Sequence, residues 1–75
     1  MSTKLLSDVG EALYGPRWQT ELARDLGIAD RTMRRWIAGD SEPAPGVWLD
    51  LLRITQERAM ALDAVADRLK LAATP

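Results

Sequence analysis

Three arginines, Arg31, Arg34 and Arg35, are packed into five consecutive positions, with Asp30 in front and Thr32 and Met33 between them. At helical spacing Asp30, Arg31, Arg34 and Arg35 stand at i, i+1, i+4 and i+5 and are read as one side, opposite Met33 and Ile37, with Met33, Trp36 and Ile37 as the buried stripe. A guanidinium is a planar fork of donors that fits phosphate, or O6 and N7 of guanine, each good pair giving about 1–3 kcal/mol of base discrimination. Such a face on a short helix suits the major groove of DNA. Arg31 and Arg35 are the better base readers, and Arg34 the better phosphate contact. Asp30 could accept from cytosine N4; the weightier expectation is a helix cap that also pairs with Arg34 at i+4. Surface charges usually do no more than solvate a helix.

Upstream, Gln19 and Thr20 open the preceding helical stretch, where backbone N–H groups can meet a phosphate. Arg17 can reach the same backbone or simply face solvent, and Thr32 joins the candidate phosphate contacts. Trp18, Trp36 and Trp48 could stack on bases, but their helical spacing with Leu and Met makes them core residues.

Four helical segments must position these groups. Leu5, Val9, Ala12 and Leu13 mark a core stripe on a first helix from about Thr3 to Tyr14, capped by Ser2 or Thr3 and slightly weakened by Gly10. Gly15-Pro16 breaks the chain, with Pro16 in the first turn of a second helix that ends at Leu26–Gly27. Trp18, Leu22, Ala23 and Leu26 share its inner side. A third helix runs from about Arg31 to Ala38, and Gly39 stops it. Asp40 to Gly46 reads as a loop. From Val47 to Ala73 there is no Pro or Gly, so one long helix is the simplest reading, with Trp48, Leu51, Leu52 and Ile54 in its first half. Leu62, Val65, Ala66 and Leu69 follow at spacings of three and four, as a short helix–helix seam. A helix of about 27 residues spans about 40 Å, too long to lie wholly on one small body, so a dimer seam is the preferred reading over folding back.

Composition agrees with a fold that is all-α: four to five helices with a helix-turn-helix core and a long C-terminal helix. Helix formers dominate, with no Phe and one Tyr. Seventy-five residues make a single small core. There is no His and no Cys, which removes disulfides, thiolate metal sites and the commonest general base. Glu21 and Asp25, at i and i+4, read as solvated helix carboxylates. No enzyme activity, metal, cofactor or small-molecule ligand is expected. The formal net charge is −1, which disfavours non-specific coating of nucleic acid but allows specific binding by a local basic face. No signal-peptide core or membrane span is read, and the expected location is cytoplasmic.

Gln19, Leu22, Ala23, Leu26, Gly27, Ile28, Met33 and Trp36 fall in a pattern that resembles the helix-turn-helix of the phage Cro and repressor (XRE) family. Gly39 and Pro43 match its following loop. The resemblance covers about residues 5–55. It implies that the helix holding Arg31–Arg35 is a recognition helix and that Gln19 touches a phosphate or base edge. Ala29, Trp18 and Ile37 depart from the pattern.

The expectation is therefore a sequence-specific double-stranded DNA-binding regulator, by analogy a repressor of phage or mobile-element type. Residues 1–55 would form the DNA-binding core and 56–75 the dimerising part, with the homodimer on an inverted-repeat operator. The competing expectation is a helical protein–protein adaptor or inhibitor on the same fold.

Overall fold

A computed structural model describes residues 3–74 and folds them into four helices: α1 (Thr3–Tyr14), α2 (Trp18–Leu26), α3 (Asp30–Ala38) and α4 (Pro45–Ala73). No strand occurs among the described residues. The all-α expectation holds with the lower helix count, and α4 is unbroken. No helix among the described residues is long and apolar enough to cross a membrane.

The core comprises Leu6, Trp18, Leu22, Ala23, Met33, Trp36 and Leu51, drawn from all four helices. It corrects the stripe expected on α1. Leu6 and Gly10 face inward, Val9 and Leu13 are half-buried, and Leu5 and Ala12 are exposed. The reason is Trp18. A Cβ placed on Gly10 would fall 2.1 Å from Trp18 Cε3, so the indole lies flat against bare backbone. Gly10 is thus a packing residue, rather than merely a weak point in a helix. Trp18 and Trp36 are core residues as expected, and Trp48 is half-buried beside them.

Several boundaries also move. Pro16 and Arg17 form a turn, and α2 begins at Trp18. Thr3 is already helical, and the alternative cap Ser2 lies outside the described residues. The segment read as a loop to Gly46 ends earlier, because Pro45 occupies the first turn of α4, where its missing N–H costs nothing. Leu51 is buried, but Leu52, one step of about 100° around the helix, is 53% exposed.

α4 has 29 residues and is about 43 Å long at about 1.5 Å per residue; the chain measures 54 × 23 × 22 Å. Its first half closes the core. Arg58 is the last residue tied to the body: its Nη1 donates to the Leu13 carbonyl at 2.8 Å, and its guanidinium lies 5.3 Å from the centre of the Tyr14 ring. Every described residue after Arg58 is exposed.

Candidate nucleic-acid interface

The turn between α2 and α3 is built by Ala23 and Gly27. Gly27 adopts φ +71°, a left-handed conformation that costs other residues more. Its N–H donates to the Arg24 carbonyl at 3.1 Å, and the Ile28 N–H donates to the Ala23 carbonyl at 3.0 Å. This pair of bonds satisfies the last carbonyls of α2 and reverses the chain at once. Ala23 is fully buried, as a small residue must be where two helices cross closely. Gly39 closes α3 with the same pair of bonds, to the Trp36 and Arg35 carbonyls. Buried Met33 and Trp36 fix the inner side of α3, so its opposite side is held toward solvent.

Arg31, Arg34 and Arg35 all lie on that exposed side. Among the described residues, the ion pairs join Lys4 to Asp8, Glu21 to Arg24, Arg53 to Glu57 and Asp67 to Lys70. None involves the three arginines of α3. Their guanidiniums therefore keep their donors available to a ligand.

Arg34 is set apart from the other two. With Gln19, Thr20, Asp30 and the floor residue Met33 it lines a cleft of about 60 Å³ between the start of α2 and α3. The structure thus brings together four residues that the sequence analysis singled out from two different helices. α2 has no side-chain cap, so its first N–H groups keep their partial positive charge toward solvent. Arg17, at the N-cap, is exposed on the same end. Thr32 is half-buried, on the side of α3 shared with Trp36 four residues on, and so stands at the margin of the arginine face.

Both structural roles expected of Asp30 are corrected. The N-cap of α3 is Ala29, in extended conformation and without a side-chain cap bond; Asp30 is the first helical residue. Asp30 forms no ion pair with Arg34 among the described residues. The helix starts one residue early because the Ala29 carbonyl already accepts the Met33 N–H at 3.2 Å. Asp30 is left lining the cleft with Arg34.

Sequence reasoning missed the tie that holds this layout to α4. The Tyr14 hydroxyl donates to the Asp25 carboxylate, while Arg58 covers the Tyr14 ring. Burial, followed by the hydrogen bond and charge of Asp25, pushes the Tyr14 pKa up to about 12. Asp25 is therefore a partner in a contact between α1 and α2, and Glu21 pairs with Arg24. No sequence periodicity links Tyr14, Asp25 and Arg58.

No protein-family model, curated protein or solved structure matches this chain. The candidate site rests on its own geometry.

Proposed function

We propose that this protein is a sequence-specific double-stranded DNA-binding regulator of the helix-turn-helix kind, acting as a homodimer with α3 in the major groove. The observation that carries the reading is the outer side of α3: three exposed guanidiniums without ion-pair partners among the described residues. In this reading Arg31 and Arg35 donate to guanine edges, and Arg34, Gln19 and Thr20 hold a phosphate at the uncapped start of α2, with Arg17 and Thr32 as flanking phosphate contacts. Asp30, which does not cap α3 and has no ion-pair partner among the described residues, is available to cytosine N4 or to steer Arg34. Binding, with no catalysis, is the activity, and the cytoplasm is the place for it. Repression by occluding a promoter is what the resemblance to the Cro and repressor family implies. Two α3 helices of a dimer would enter successive major grooves about 34 Å apart on an inverted repeat.

The net charge of −1 makes random duplex a poor ligand, so specificity must come from the few arginine contacts. The test is selection of duplexes from a randomised pool, followed by gel shifts. Arg31→Ala and Arg35→Ala are expected to weaken the selected duplex about 5- to 150-fold each, the equivalent of about 1–3 kcal/mol, with relaxed preference at one guanine. Arg34→Ala should weaken all sequences alike. Failure of wild-type protein to enrich any duplex overturns the reading and favours the protein–protein adaptor.

A further inference from the structure

The projecting half of α4 is poorly suited to stand alone. An isolated helix shorter than about 12–15 residues is marginal in water, yet every described residue beyond Arg58 is exposed. Leu62 and Leu69 are each 61% exposed. The same exposure continues onto the body. Leu52, Thr55, Ala59, Leu62, Ala66 and Leu69 recur at alternating spacings of three and four, which draws one uncharged line along α4. At its body end this line forms one wall of an apolar groove of about 240 Å³, lined by Leu5, Val9, Trp48, Leu51, Leu52 and Thr55.

We propose that a second copy of this chain lies antiparallel along this line, so that the projecting end of each α4 fills the α1–α4 groove of the other. The alternation of residue size decides the direction. In a parallel pair each residue meets its own copy, so Ala66 would form a thin layer between thick layers of Leu62 and Leu69, and Ala59 another on the other side of Leu62. Helices held apart by leucines cannot close on alanines, and voids result. In the antiparallel pair Ala59 faces Leu62 and Trp48 faces Ala73, so two of the four distinct layers match large with small where the parallel pair has none, and Thr55 faces Ala66. Leu52 faces Leu69 at the groove, where Leu5 and Val9 complete the wall.

Charge and coverage select the register. A shift of one heptad toward the C-termini sets Asp63 beside Asp63 of the partner, a like-charge contact. A shift of two heptads removes that contact but leaves Leu5 and Leu52 uncovered. The proposed register instead sets Asp63 beside Gln56 and lays the Lys70 stem over Leu49, keeping its ammonium in water. Val65 then flanks Arg58 of the other copy.

The inference deepens the homodimer of the DNA-binding reading and rests on it. The chain contains no cysteine, so introduced thiols report alone. Wild-type protein should sediment at twice its 8.3 kDa chain mass, and Leu62→Asp should halve that mass while keeping the tryptophan signals of the core. With a short thiol–thiol cross-linker, an equal mixture of Leu52→Cys and Leu69→Cys should give the mixed dimer. Each variant alone should give none, because like positions lie about 25 Å apart in the antiparallel register. Cross-linking of either variant alone, absence of the mixed product, or a wild-type mass other than that of a dimer overturns the proposal. A gel shift reports the arginine face separately. Duplex binding by a wild-type monomer sinks the seam and the homodimer while leaving the arginine face as DNA reader, and an antiparallel dimer that enriches no duplex sinks the DNA reading alone.

Discussion

Tyr14 carries a consequence that a single side chain can report. Its pKa lies at about 12 because of burial first and the Asp25 hydrogen bond second, whereas in the unfolded chain it returns to about 10. A raised folded pKa means that the protein favours the neutral phenol. The stabilisation is fully present below about pH 10 and is lost as pH rises through about 12. Tyr14 is the only tyrosine, so tyrosinate absorbance isolates it. The folded protein should titrate near 12 and the urea-unfolded chain near 10, while Tyr14→Phe should flatten the fall in melting temperature between those values. A folded-state midpoint near 10 would show that Tyr14 is neither buried as described nor bonded to Asp25 in solution. The arginines of α3 raise a different question at the same scale. In the proposed reading they are useful because no ion pair among the described residues takes their donors, and Asp30, the nearest candidate, is tied to none of them there.

Between elements, the contact that sets the orientation of α1 against α2 is Gly10 under Trp18. The ideal Cβ position 2.1 Å from the indole cannot be relieved by a small side-chain rotation, because the clash falls on the rigid ring itself. Gly10→Ala should therefore destabilise the fold by about 1–3 kcal/mol, as overpacking does, even though alanine favours a helix more than glycine does by about 1 kcal/mol. A denaturant melt followed by tryptophan fluorescence measures it; a variant as stable as wild type would mean that α1 is rotated from the position described. The same contact affects α3 indirectly. Trp18 shares the core with Met33 and Trp36, so displaced indole disturbs the inner side of the arginine helix. If α3 reads DNA as proposed, the expected effect of Gly10→Ala is a loss of binding across all sequences, without the altered base preference of Arg31→Ala.

For the whole molecule, the decisive feature is imbalance. A small body supports a helix about twice as long as its own packed half, and a core of this size stabilises a chain only marginally. Pairing of two chains would supply the missing burial and would couple stability to association. The melting temperature is thus expected to rise with protein concentration across a hundredfold dilution series, and to become independent of it in Leu62→Asp. A wild-type melting point that ignores concentration across that range would argue that the body is stable unaided.

Much of this was readable from residues close together in the chain. The Gly27 and Gly39 stops, the alternation of buried Met33 and Trp36 with exposed arginines, and the unbroken run of α4 all depend on neighbours within about one helical turn, and those interactions are written in consecutive letters. Asp30 marks the limit of that reading, since one extra backbone bond moved the helix start and removed its expected role as a cap. The face that α1 turns inward, the packing role of Gly10, the joining of Tyr14, Asp25 and Arg58, and the cleft that unites Gln19 and Thr20 with Arg34 were decided only by tertiary structure. Each depends on a side chain arriving from a distant segment, and helical periodicity specifies which residues share a side without saying which partner that side will meet.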